Sequence, residues 1–358
     1  MKEILIITSA VLVLIIVFLL YRLTIILKMA SGKRVPDKQS QDKSNGINAV
    51  LMIVFLVAGM GLMIWSTMDA SDDFLPEPAS EHGQVVDRLI WITFLITGFV
   101  FVVTQVLLFF FAFKYRYKQK RKAYYFPINY RIEIIWTAIP AITFIGLFIL
   151  GFRASKFILS KADPDAQKIE IMGQQFSWMV RYPGNDQELG SFDFRLIDTE
   201  NNMGINFTDK ASLDDFIPMQ MVLPVDKPVE LKIRSRDVIH SVFLPHFRVK
   251  MDAVPGMPTR FKFTPTITTE QMRERLNDPD FEYELACTEL CGRGHFSMKM
   301  IVKVVEQGEF AAWYANNEPW LAKHPEYLAK VPRSLKQLAY AIINNKEDNQ
   351  LKATSKQE

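Results

Sequence analysis

The segment Cys287-Thr-Glu289-Leu-Cys291-Gly-Arg-Gly-His295-Phe-Ser-Met298 places two thiols, an imidazole, a thioether and a carboxylate within twelve positions. These are the only two cysteines in the chain. Thiolate, imidazole and thioether are soft and borderline ligands, the set that suits copper. Two cysteines four apart can each bridge the same pair of ions, and a histidine remote in sequence would complete such a site. The chain offers five histidines. His82 lies in an acidic loop and His324 near the C-terminus, neither beside a strand-like segment. His240 and His246 share the stretch Asp237-Val-Ile-His240-Ser-Val-Phe-Leu-Pro245-His246. His240 follows an alternating apolar run, so it can sit at a strand end and meet a loop from a neighbouring strand. It is the expected remote ligand; His246 fits a structural, hydrogen-bonded role better.

The chain has 358 residues, 49% of them hydrophobic, enough for a membrane part and one domain of ordinary size. The formal charge of +3 says little, because charges are segregated along the sequence. No C-x-x-C-H run exists for covalent haem attachment, and two cysteines are too few for a disulfide scaffold. Four apolar runs, at about residues 4–26, 47–65, 89–113 and 132–152, approach the ~20 residues a membrane-spanning helix needs. Arg22 near the end of the first run can snorkel to the interface. That run reads as a span and not a cleaved signal peptide: its basic start is only Lys2, and no clean small-residue cleavage site follows.

Loop charge sets the orientation. Lys114, Arg116, Lys118, Lys120, Arg121 and Lys122 separate the third and fourth runs, and Lys28, Lys33, Arg34, Lys38 and Lys43 follow the first. Both loops should be cytoplasmic. Asp69, Asp72, Asp73, Glu77 and Glu81 lie between the second and third runs, which puts that loop outside. Arg88, at the start of the third run, does not upset this count. The part from about Ala154 onward then faces the periplasm.

From Lys168 the period changes. Lys168-Ile-Glu-Ile-Met172, Val229-Glu-Leu-Lys-Ile-Arg234 and Phe261-Lys-Phe-Thr264 alternate polar with apolar, and Met300-Ile-Val-Lys-Val-Val305 is a continuous apolar run. Prolines and Pro-Gly pairs punctuate them, which predicts an antiparallel sandwich or barrel. Residues 186–215 are polar and irregular and carry Asp193, Asp198, Glu200, Asp209, Asp214 and Asp215. These acids read as a solvated face, or as a docking patch for a basic partner. Glu309-Phe-Ala-Ala-Trp313 predicts a short helix. From Asn316 the tail reads as further helix ending in a polar, mobile segment with no evident chemistry.

Asp237-Val-Ile-His240-Ser, Lys250-Met-Asp252-Ala-Val-Pro255-Gly256 and the Cys287–Met298 motif resemble subunit II of haem–copper cytochrome c oxidase. Glu133-Ile-Ile-Trp136-Thr137-Ala-Ile-Pro140 is similar to that family's last transmembrane signature, and the likeness runs from about Arg88 to Trp313. The resemblance implies a multidomain membrane protein: N-terminal transmembrane α-helices, four here, and a C-terminal all-β cupredoxin-like Greek-key sandwich. Its expected parts are two extra helices in residues 1–67, the family's helical hairpin in 85–155, the periplasmic domain in 156–306 and a tail in 307–358.

The resemblance also implies a dinuclear copper centre of the Cu(A) type. Cys287 and Cys291 would bridge it, His240 and His295 cap it, and Met298 and the Glu289 carbonyl serve as weak axial ligands. The Glu289 carboxylate would reach a magnesium ion shared with subunit I, as a hard oxygen donor suits. Glu133, near the cytoplasmic end of the fourth span, would mark the mouth of a proton channel. Implied partners are oxidase subunits I and III, cytochrome c or a cytochrome domain of a quinol-oxidising complex, and the lipid of a bacterial inner membrane; no nucleic acid is expected.

Three features depart from the pattern. Phe176 stands where the first tryptophan of a Trp-x-Trp pair admits electrons, while Trp178 keeps the second position. Two extra spans precede the hairpin. Arg248 replaces a common glycine. The copper ligands argue against a copper-free quinol oxidase subunit. Glu289 and the spans argue against nitrous oxide reductase, and Glu133 against a copper-storage or delivery protein. No haem ligands of the right kind occur in the spans, so oxygen reduction belongs to another subunit.

Overall fold

The computed structural model describes residues 2–31, 38–71, 74–118 and 121–354. Lys33, Arg34, Asp72, Asp73 and Lys120 of the charge pattern lie outside the described residues. Two compact units form: Met1–Ser71 with Leu95–Ile135, and Asp72–Phe94 with Trp136–Glu358. Among the described residues, four helices are long and apolar enough to cross a membrane: α1 (Lys2–Ala30), α2 (Lys38–Asp69), α3 (Glu81–Lys114) and α4 (Tyr130–Leu159). Each outruns its apolar stretch, because backbone hydrogen bonding continues into polar flanks that need no apolar side chain to stay helical.

The second unit holds a two-sheet sandwich. One sheet has the order β2-β1-β4-β7, formed by β1 (Gln167–Gln174), β2 (Ser177–Arg181), β4 (Val229–Ser235) and β7 (Thr259–Phe263). The other has the order β3-β9-β8-β5-β6, formed by β3 (Met221–Pro224), β5 (His240–Leu244), β6 (Val249–Ala253), β8 (Tyr283–Cys287) and β9 (Lys299–Val305). The sandwich expected from the sequence is mostly antiparallel, with two parallel pairs, β1 with β4 and β3 with β9. Long connections carry the chain back between these pairs, as parallel neighbours require.

The alternation seen in sequence points Ile169, Ile171, Leu231, Ile233, Phe261 and Phe263 into one core with Val242, Leu244, Leu285, Val302 and Val304 of the opposite sheet. Burying each such side chain contributes about 1.5–3 kcal/mol.

The other face of β1 is not solvated. Glu170 is fully buried there and accepts hydrogen bonds from Arg181 Nε (2.6 Å) and Arg234 Nε (2.8 Å). Arg181 also donates to Asp215 Oδ2 (3.0 Å) and the Gly190 carbonyl (2.8 Å), and Arg234 donates to the Met203 carbonyl (2.6 Å). Burial alone would raise the Glu170 pKa, but the two guanidinium groups override it and hold it below the usual carboxylate range. Burial pushes Asp215 up to about 8 against the pull of Arg181.

The irregular segment 186–215 covers this face, and its acids are mostly committed to local structure. Asp193 accepts from the Arg195 N–H, Asp209 from the Ala211 and Ser191 N–H groups, and Asp198 from Tyr327 Oη (2.5 Å) and Lys330 Nζ (3.1 Å). Asp214 and Asp215 are buried. Glu200 is exposed and Asp193, Asp198 and Asp209 are half-buried, so a solvated face describes these four but not Asp214 and Asp215.

The predicted helix near Glu309 is α6 (Gln307–Asn316), which follows α5 (Thr269–Leu276). Beyond it lie α7 (Trp320–Lys323) and α8 (Arg333–Thr354). The packing of this tail was not foreseen. Trp320, Leu321, Tyr327, Val331 and Ala339 join Met172, Met203, Ile205, Phe207 and Leu213 in a second core.

Arg248 occupies the left-handed region at φ 53°, which explains why glycine would be at ease there. Its guanidinium grips both carboxylate oxygens of Asp87 (2.6 and 2.9 Å) and the Pro76 carbonyl (2.5 Å), within the same unit.

Candidate metal centre

Two segments meet at one end of the sandwich. His240 opens β5 and Cys287 closes β8, and the antiparallel pair Val242↔Cys287 brings them side by side. The loop 288–298 leaves β8 and returns to β9, closed by the Cys287 N–H on the Met298 carbonyl (3.2 Å). Thr288 N–H bonds the Ser241 carbonyl (3.2 Å) and ties the loop to β5.

Six donors converge in this frame. Cys287 Sγ lies 3.9 Å from His240 Nδ1, 3.2 Å from the Glu289 carbonyl oxygen and 4.0 Å from Cys291 Sγ. Cys291 Sγ lies 3.7 Å from His295 Nδ1 and 3.8 Å from Met298 Sδ. Ligand atoms of His240, Cys287 and Cys291 all fall within 4.8 Å of one another. Both cysteines, His240 and Met298 are buried. The sulfurs stand far beyond the ~2.05 Å of a disulfide, so both thiols stay available to a metal. Burial, with Cys287 beside it, pushes the Cys291 thiol up to about 11. Two sulfurs, two ring nitrogens, a thioether and a carbonyl, gathered around a shared space, fit copper by softness.

Residues behind the donors fix their aim. Asp237 Oδ1 is 2.8 Å from His240 Nε2, and its Oδ2 accepts the Gln175 N–H at 2.8 Å. Burial would raise Asp237, but those hydrogen bonds hold it below the usual carboxylate range. Gln175 Nε2 donates to the Cys291 carbonyl at 2.6 Å. Sequence reading missed both residues; an acid three positions before a ligand histidine was the available signal for Asp237.

Glycines make room. A Cβ on Gly173 would stand 2.9 Å from His240 Cδ2, and one on Gly294 would stand 2.5 Å from Phe176 Cγ. Phe176 therefore lies directly on the metal loop, 37% exposed. Trp178 is buried, its ring 5.9 Å from the His240 ring and edge-on to it.

The Glu289 side chain is exposed. Glu133 is half-buried in the first turn of α4 and belongs to the other compact unit. His246 stacks edge-on against Phe281 and Tyr283 at 5.1 and 5.3 Å, outside the donor group. His324 stacks on Trp320 at 4.0 Å.

Comparison with known proteins agrees with this geometry. Residues 167–305 match the family model for the periplasmic domain of cytochrome c oxidase subunit II, and residues 75–154 match that for its transmembrane domain. The alternative cytochrome c oxidase subunit 2 of Bradyrhizobium diazoefficiens is 36% identical over 242 residues, which is 66% of this chain and 81% of that protein. Cytochrome c oxidase subunit 2 of Cereibacter sphaeroides is 32% identical over 200 residues, 52% of this chain and 60% of that one. Among solved structures, the periplasmic domain of subunit II of cytochrome oxidase from Bradyrhizobium japonicum is 29% identical. It covers 44% of this chain and 95% of its own, at a TM-score of 0.30.

Fold and donor set define a membrane-anchored cupredoxin-like protein with a thiolate-rich metal site. The chain belongs to the cytochrome c oxidase subunit II family, whose members are parts of a haem–copper oxidoreductase complex and carry a copper centre. It is a membrane protein whose C-terminal domain is periplasmic.

Proposed function

We propose that this chain is the electron-transfer subunit of a proton-pumping terminal oxidase in a bacterial inner membrane. It accepts electrons from cytochrome c, soluble or held by a quinol-oxidising complex. It passes them to haem in subunit I, where oxygen becomes water. The observation that carries this reading is the convergence of six donors from loops at one sandwich end, with Cys287 and Cys291 4.0 Å apart at its centre.

Cys287, Cys291, His240, His295, Met298 Sδ and the Glu289 carbonyl would hold a copper pair. Bound copper supplies one-electron redox chemistry shared over both ions. The protein supplies rigidity. Asp237 holds the His240 ring, Gln175 holds the Cys291 carbonyl, and the strand pairing of β5 with β8 fixes their separation. Little then moves when charge changes.

Phe176, half-buried on the loop, offers an aromatic edge to a donor, with Trp178 behind it against His240. The exposed Glu289 carboxylate is free to share a magnesium ion with subunit I. Glu133 would admit protons at the cytoplasmic end of α4. Subunits I and III are the expected neighbours.

The test is electron paramagnetic resonance and metal analysis of the purified complex. A mixed-valence signal spread over two copper nuclei is expected, lost in Cys291→Ser together with cytochrome c oxidation. A mononuclear copper signal, or full turnover in Cys291→Ser, refutes the proposal.

A further inference from the structure

Within the second unit, the first turns of α3 and the last turns of α4 border an open groove of about 470 Å³. Leu89 and Ile92 give it apolar walls, while Arg88, Arg153 and Glu81 line it with charge. His82 also lines it; this side chain is 4% exposed and its Nε2 has no hydrogen-bond partner.

Both arginines are exposed, and among the described residues neither makes an ion pair or hydrogen bond. They sit on helices long and apolar enough to cross a membrane, at the ends that lead into the periplasmic domain. Arginine is disfavoured on this side of a span, and an ionisable group at membrane depth needs a partner. Glu81 offers one carboxylate for two guanidinium groups. A phosphodiester is the matching anion, since planar guanidinium binds phosphate oxygens in a fork. The apolar walls then suit an acyl chain.

We propose that this groove binds one anionic phospholipid of the outer leaflet. Its phosphodiester lies between Arg88 and Arg153, and its upper acyl chain lies along Leu89 and Ile92. The site is separate from the metal centre and does not depend on the copper reading.

The test uses the purified complex in phosphatidylcholine nanodiscs, given equal amounts of photoactivatable phosphatidylglycerol and photoactivatable phosphatidylcholine. Crosslinks are mapped by peptide mass spectrometry. Phosphatidylglycerol should label the α3 and α4 peptides about tenfold more than phosphatidylcholine, the scale of a charge-assisted contact. Arg88→Gln with Arg153→Gln should bring the two lipids to parity, while Lys at both positions keeps a preference. Ile92→Trp, which fills the groove and leaves both charges, should abolish labelling and decides the matter if the glutamine pair does not accumulate. Equal labelling in the wild type overturns the proposal, as does a preference that survives the glutamine pair. So do displacement of the lipid by equimolar inorganic phosphate and crosslinking of these peptides to another subunit in place of lipid.

Discussion

His240 Nε2 stands 2.8 Å from Asp237 Oδ1, while Nδ1 of the same ring faces Cys287 Sγ at 3.9 Å. The carboxylate thus claims one ring nitrogen and leaves the other for the metal. Partners that orient a ligand histidine are typically worth about 10–100-fold in metal affinity. Asp237→Ala should weaken copper retention by about that factor, read by competition with a chelator. Affinity within about twofold of wild type would show that Asp237 does not orient the ring.

The contact of Phe176 with the metal loop makes a packing prediction. A Cβ at Gly294 would lie 2.5 Å from Phe176 Cγ. Gly294→Ala should therefore destabilise the protein by about 1–3 kcal/mol through overpacking. Phe176→Ala in the same chain should recover most of that loss, because the two positions share one space. Thermal unfolding of the four members of this cycle measures the coupling, and additive losses would contradict the contact.

The buried charges beneath segment 186–215 predict a larger effect. Glu170 serves Arg181 and Arg234 together, all three nearly or wholly shut from solvent. Glu170→Gln leaves two buried guanidinium groups without the carboxylate they share. Breaking such a pair typically costs about 3–5 kcal/mol. Denaturant unfolding should show the loss, and should also show whether segment 186–215 detaches first.

His246 predicts a pH dependence. Burial, aided by Arg248, lowers its pKa to about 4, from an ordinary value near 6.5. Between these values the unfolded chain binds a proton that the folded one refuses. Stability from this residue is therefore full above about 6.5 and is lost as pH falls toward about 4. Melting temperatures at pH 7 and pH 5 should differ less in His246→Gln than in wild type. An unchanged difference would mean that His246 is not held neutral.

Much of this was legible in the chain itself. Apolar runs marked four spans because a membrane accepts little else over that length, and alternation marked β1, β4 and β7 because one face of each strand meets the core. Strands β5 and β8 escaped notice. They are only five residues each, they carry polar residues (His240 and Ser241 in β5, Glu284 in β8), and their identity lies in pairing with each other.

The buried pair Asp214 and Asp215 of segment 186–215 was not legible for a related reason. Composition counts charges but not whom they face, and Asp198, Asp209 and Asp215 face Tyr327, Ser191 and Arg181.

By itself the sequence determined the soft donor set, its compact spacing in Cys287–Met298, the remote histidine and the helical anchor. These follow from residue type and local period. Only the tertiary structure decided that Asp237 and Gln175 brace the donors, that Phe176 lies on the loop, and that the tail shares a core with Met203 and Phe207. Those facts include contacts between residues more than 100 positions apart, such as Gln175 with Cys291, and no local pattern encodes a contact that exists only once the chain has closed on itself.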